Sequence, residues 1–135
     1  SSDLHETLIG TMRRSLRKRL PTAHEVVYEY SDCCVISYSP DERGYVGVLA
    51  IRASAKGVEL YFTRGKELPD PDKLLRGSAK LVRFVHVEGA STRKHPAVAR
   101  LIDEAIARSR VPFATTGRGP VVIRSTSARK RRRPA

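Results

Sequence analysis

GKELPDPDKLLRGSAKLVRFVHV, residues 65–87, is the stretch whose reading decides the fold. It passes from a turn-rich loop into a strand. Gly65, Pro69-Asp70-Pro71 and Gly77 punctuate the loop, with Leu74-Leu75 as a short apolar pair between them. Pro71 is suited to starting a single helical turn over Asp72–Leu75. From Ala79 the pattern changes. Leu81, Arg83, Val85 and Val87 alternate with Val82, Phe84 and His86, the period of a strand.

Upstream, three more segments read as strands. Cys33 to Ser37 ends at the turn signal Ser39-Pro40-Asp41. Tyr45 to Arg52 follows, with Gly47 marking a bulge or a close approach. Val58 to Thr63 places Val58, Leu60 and Phe62 on one face and Glu59 and Tyr61 on the other. The turns between them are short, so neighbours are expected to run antiparallel.

Helices flank this block. Residues 3–20 carry Leu4, Leu8, Ile9, Met12, Leu16 and Leu20 at helical spacing, with Asp3 and Glu6 as a capping box and Pro21 as the stop. Thr22 to Tyr28 reads as a short second helix capped by Thr22. Ser91 to Arg110 is the last helix, with Pro96 in an early turn and Val98, Leu101, Ile102, Ala105 and Ile106 forming one stripe. The expected class is α+β: a single twisted antiparallel sheet with N- and C-terminal helices on one face. The expected domain is residues 1–113. Residues 114–135 read as a flexible linker, Thr115 to Pro120, and a basic disordered tail from Arg124. Val121-Val122-Ile123 is apolar enough to add an edge strand or dock on the body.

The order Tyr61-Phe62, Gly65, Leu68-Pro69-Asp70-Pro71, Leu75, Gly77, Lys80 and Arg83 resembles the YdhG-like family of small bacterial domains (domain of unknown function 1801). The PTAHEVVYEY junction at residues 21–30, with Glu25 after the proline, is similar to that family's first junction. The resemblance spans roughly residues 4–110. It implies a fold related to the YjbR-like and frataxin-like group, with helices on one antiparallel sheet. It implies no reaction. Through the frataxin-like relationship it implies metal handling as an alternative function. Iron of that kind needs hard oxygen ligands. The first helix offers only Asp3 and Glu6, with His5 between them, against Arg13, Arg14, Arg17, Lys18 and Arg19. No metal ligand set and no cofactor are assigned.

Charge is uneven along the chain. The 26 Lys and Arg outnumber 14 Asp and Glu, for a net charge of +12. Residues 105–135 hold nine of the basic residues and none of the acidic ones. Arg129, Lys130, Arg131, Arg132 and Arg133 are therefore candidate phosphate contacts for nonspecific nucleic-acid binding, together with the first helix. No aromatic residue follows Phe113, so this segment offers no base stacking. No apolar run is long enough to span a membrane. The two cysteines, Cys33 and Cys34, are adjacent and fit neither a zinc site nor a CxxC motif. They read as two packed thiols in a reducing, cytoplasmic setting.

No P-loop, dinucleotide fingerprint, nucleophile elbow or HExxH occurs. No catalytic residue is assigned, and His86 reads as a packed strand histidine. The candidate ligand site is a helix–sheet cleft in which Arg83 and Tyr38 hold an anion, with Lys80 and Asp70 beside them. Lys80 and Arg83 lie three apart and so face opposite sides of a strand. The plainer reading is an ion pair pinning the loop to Asp70, Asp72 or Glu25, since a buried cation is costly unless paired. The expected function is a small non-enzymatic binding or adaptor domain, whose partner is a small anionic ligand or a protein.

Overall fold

Five strands form an antiparallel meander and a sixth returns to the far edge, giving the order β5-β4-β3-β2-β1-β6. The computed structural model describes residues 2–43 and 46–125. The strands are β1 (His24–Glu29), β2 (Cys33–Ser39), β3 (Leu49–Ser54), β4 (Gly57–Phe62), β5 (Arg83–Val87) and β6 (Val121–Ser125). The helices are α1 (Ser2–Arg19), α2 (Ala90–Lys94) and α3 (Pro96–Ala107). The class is α+β. The sheet is mixed, because β6 runs parallel to β1.

Cross-strand partners share a face. Ile36, Ile51, Leu60 and Val85 form one inward row, and Tyr38, Leu49, Phe62 and Arg83 form the next. Leu8, Met12 and Leu16 of α1 and Leu20 just after it join these rows in one core, together with Val98, Leu101, Ile102 and Ala105 of α3. Both long helices therefore cover the same face, as the apolar stripes predict.

Five boundaries differ from the sequence expectation. Thr22–Tyr28 is not a helix, because β1 occupies most of it. Val26, Val27 and Tyr28 are β-branched or aromatic and suit a pleated surface. The last helix breaks at His95. Pro96 pushes the preceding residue out of helical geometry, and His95 sits at ψ 125°. Its Nδ1 instead accepts the Ala97 N–H at 3.1 Å and caps α3. The strand expected from Tyr45 starts at Leu49, after Gly47; Gly44 and Tyr45 lie outside the described residues. The strand expected from Ala79 starts at Arg83. The α1 helix begins at Ser2, which places Asp3 inside its first turn rather than ahead of it.

The expected linker is part of the body up to Ser125. Thr22 Oγ1 donates to the Ala114 carbonyl at 2.7 Å, the Gly119 N–H to the Pro21 carbonyl at 3.0 Å, and the Glu25 N–H to the Pro120 carbonyl at 2.9 Å. A Cβ on Gly119 would lie 1.8 Å from the Ala23 carbonyl oxygen, so only glycine allows this approach. The domain boundary at 113 and the tail start at Arg124 are thus corrected: β6 includes Arg124. Residues 126–135, including Arg129 to Arg133, lie outside the described residues. Gly119→Ala is expected to cost about 1–3 kcal/mol, the range for overpacking. Amide exchange should accelerate in β1 and β6 while β3 and β4 stay protected. Unchanged protection at β6 would show that the contact does not hold the strand.

Candidate functional site

The sequence candidates do not meet. Tyr38 and Arg83 share a sheet row, but Leu49 and Phe62 stand between them, both fully buried. Arg83 is bound by carbonyls instead of carboxylates. Its Nη1 donates to Ala79 O at 2.5 Å and to Val82 O at 2.8 Å. It pins the loop as expected, but without an ion pair. Gly65 lies against it, and a Cβ there would come 2.5 Å from the Arg83 Cβ. Lys80 is exposed in the turn before β5. Asp70 accepts the Leu74 and Leu75 N–H groups, both at 2.9 Å, and organises the loop as a local cap. The hollow beside Asp70 measures about 20 Å³, room for roughly one water.

Tyr38 belongs to a different constellation. Glu25 of β1 is fully buried beneath α1. Arg13 Nε donates to its Oε2 at 3.0 Å and Arg13 Nη2 to its Oε1 at 2.7 Å. Arg17 Nη1 donates to Oε1 at 3.1 Å, and the Tyr38 hydroxyl to Oε2 at 2.5 Å. Burial pushes the Glu25 pKa up, but the hydrogen bonds from Arg13 and Tyr38 and the charges of Arg13 and Arg17 outweigh it. The carboxyl is held below its ordinary value. Burial and the bond to Glu25 push the Tyr38 phenol well above its usual range. Every carboxylate lone-pair direction is thus taken by a donor, and the set ties α1 to β1 and β2. Part of the basic run on α1 is used here, and Arg19 pairs with Asp103 of α3 at 3.2 Å. Arg14 and Lys18 remain exposed.

A larger cavity lies elsewhere in the helix–sheet cleft. It measures about 290 Å³ and opens between the end of β4, the segment before β3 and the C-terminus of α3. Val46, Val48, Phe62, Leu68, Ala105 and Val111 supply its apolar wall. Arg64, Arg108 and Arg110 also line it; Arg64 is half-buried, and Arg108 and Arg110 are exposed. Arg64 is tied to Glu67 by two hydrogen bonds, and Arg108 to Glu104 and to the Glu67 carbonyl. These ties hold both guanidinium groups in place. The Arg64 and Glu67 bonds lower the Glu67 pKa, so the carboxylate stays charged. Among the described residues Arg110 has no hydrogen bond or ion pair; its charge acts on the Glu67 carboxylate, which also lines the cavity, and its donors are left to meet an incoming anion.

Sequence reading passed over this site. Arg110 enters it only as the end of the last helix, and Arg64 and Arg108 have no role in it. The available signal was three arginines at the ends of an apolar strand and an apolar helix that pack together.

Cys33 and Cys34 are both free thiols, on opposite faces of β2. Burial, with Glu29 and Cys33 nearby, raises the Cys34 pKa, which suits a packed thiol better than a reactive one. Among the described residues no group of three His, Cys, Asp or Glu side chains could hold a metal ion, and no helix is long and apolar enough to cross a membrane. The Asp3 side chain lies outside the described residues. Comparison with protein-family models, with curated proteins and with solved structures yields no match.

Proposed function

We propose that the chain is a non-enzymatic binding module for a small, largely apolar molecule carrying one anionic group. The observation that carries this reading is the cavity of about 290 Å³ with an apolar wall and three arginines in its lining. That volume is at the small end of ligand pockets, about 300–1,000 Å³. The apolar body would enter between Phe62, Leu68 and Ala105. The anion would meet Arg110, with Arg64 and Arg108 already ordered beside it. Of the polar groups that line the cavity, Glu67 is tied to Arg64 and the Ser109 hydroxyl donates to the Val111 carbonyl, which favours binding as the chemistry the cavity offers. The YdhG-like assignment belongs to this proposal too, and it rests on the residue order from Tyr61 to Arg83.

Octanoate and octanol test the reading as a matched pair, since they share the chain and differ in the charge. Calorimetry is expected to detect octanoate binding, with octanol weaker by about ten-fold or more, the scale of a charge-assisted hydrogen bond. Arg110→Ala should bring octanoate down to the level of octanol. Equal binding of the two probes, or an Arg110→Ala protein that still prefers octanoate, would overturn it.

A further inference from the structure

The face of the sheet turned away from α1 and α3 carries a different set of side chains. Register places Arg124, Tyr28, Val35, Arg52, Glu59 and His86 in one row across all six strands. The adjacent row ends in Tyr61 and Phe84, and a bridge outside β5 adds Arg76 opposite Phe84. The aromatics fall into two groups. Tyr61 and Phe84 stack with centroids 5.0 Å apart, and His86 meets the Phe84 edge at 5.6 Å. Tyr28 and Tyr30 lie nearly parallel at 6.5 Å, with the Arg124 guanidinium 5.9 Å from the Tyr28 ring centre. Tyr28, Tyr61 and Phe84 are half-buried and His86 is exposed, so ring surface reaches solvent.

Glu59, the acid of these rows, is 8% exposed. Arg52 and the Tyr61 hydroxyl reach it at 3.4 Å, and His86 Nδ1 at 3.5 Å. Its charge is therefore matched within the sheet. Arg76 and Arg124 are exposed at opposite ends of the surface. The two aromatic groups are separated by about 14 Å, three interstrand spacings from β1 to β4. A sheet face with spaced rings and cations at both ends offers stacking to unpaired bases and ion pairs to the phosphates between them. A duplex hides its base faces and gains only the ion pairs.

We propose that this face binds single-stranded nucleic acid, with bases stacked on the Tyr28 and Tyr61 groups and phosphates met by Arg76 and Arg124. The proposal is independent of the cavity beside α3. It also supplies the stacking surface that the basic segment 129–133 lacks. The chain's net charge of +12 favours such a polyanion over a peptide partner.

The test uses the full chain and fluorescence anisotropy with labelled twelve-nucleotide uridine and thymidine oligomers and a twelve-base-pair duplex. Single strands of either sugar are expected to bind more tightly than the duplex. Tyr28→Ala and Tyr61→Ala should each weaken single-strand binding by about ten-fold with the salt slope unchanged, since each removes a stacking surface and no charge. Tyr28→Leu and Tyr61→Leu keep apolar area without the ring and guard against a folding defect; they should show the same loss at an unchanged melting temperature. Arg76→Ala should instead reduce the salt slope by about 0.7. Tyrosine variants that bind like the parent, or a duplex that binds as tightly as the single strands, would overturn the proposal and leave charge alone as the source of any binding.

Discussion

Glu25→Ala is expected to destabilise the protein by about 3–5 kcal/mol, the cost of breaking a buried ion pair by removing one partner. The reason is what remains. Two guanidinium groups and the Tyr38 hydroxyl would face the space left by a fully buried carboxylate. Equilibrium denaturation should show the midpoint falling with little change in slope. Tyr38→Phe is expected to cost less, about 0.5–1.5 kcal/mol, because Arg13 still reaches the same oxygen. The combined change Arg13→Met with Glu25→Leu should recover part of the loss, since apolar replacements of a buried pair are often neutral or better. The pH dependence has a fixed sign. The folded-state pKa of Glu25 lies below its unfolded value. Its contribution is therefore complete above the usual carboxylate range, about pH 4.3, and is lost as pH falls through the folded value. Glu25→Gln should flatten that acid limb. A Glu25→Ala protein as stable as the parent would mean the network adds nothing to the fold.

Phe62→Ala is the second large effect, also about 3–5 kcal/mol. Phe62 is fully buried on β4 between Leu49 and Arg83 and forms the inner wall of the cavity beside α3. Its removal deletes core contact and enlarges the cavity at once. Octanoate should then bind with a smaller apolar contribution, while its preference over octanol persists, because Arg110 is untouched. A loss below about 1 kcal/mol would show that the neighbours collapse into the space.

These two residues also show how much of the molecule was legible in its sequence. Phe62 was: it follows Val58 and Leu60 at strand period and faces the core, and the helical stripe of Val98, Leu101, Ile102 and Ala105 faces it. Glu25 was only in part: it reads as a partner for a buried cation, but for Lys80 or Arg83, and reading residues 22–28 as a helix hid β1. Its inward position depends on Arg13 and Arg17, twelve and eight residues away on another element. The parallel edge strand was hidden for a similar reason. Thr115 to Pro120 has the composition of a linker, yet Gly119 is there because Ala23 leaves no room for a side chain. The candidate site failed on distance. Arg83 and Tyr38 do face the same side, but two core residues intervene. Arg64 and Arg110 converge with Val48 only because α3 ends over the end of β4.

Titration of isotopically labelled protein with octanoate, followed by backbone amide shifts, tests the cavity assignment most directly. The account predicts shifts concentrated in Val46–Val48, Thr63–Leu68 and Ala105–Val111, and their disappearance in Arg110→Ala. Shifts centred instead on Lys80, Arg83 and the loop around Asp70, or spread evenly over the sheet, would contradict it.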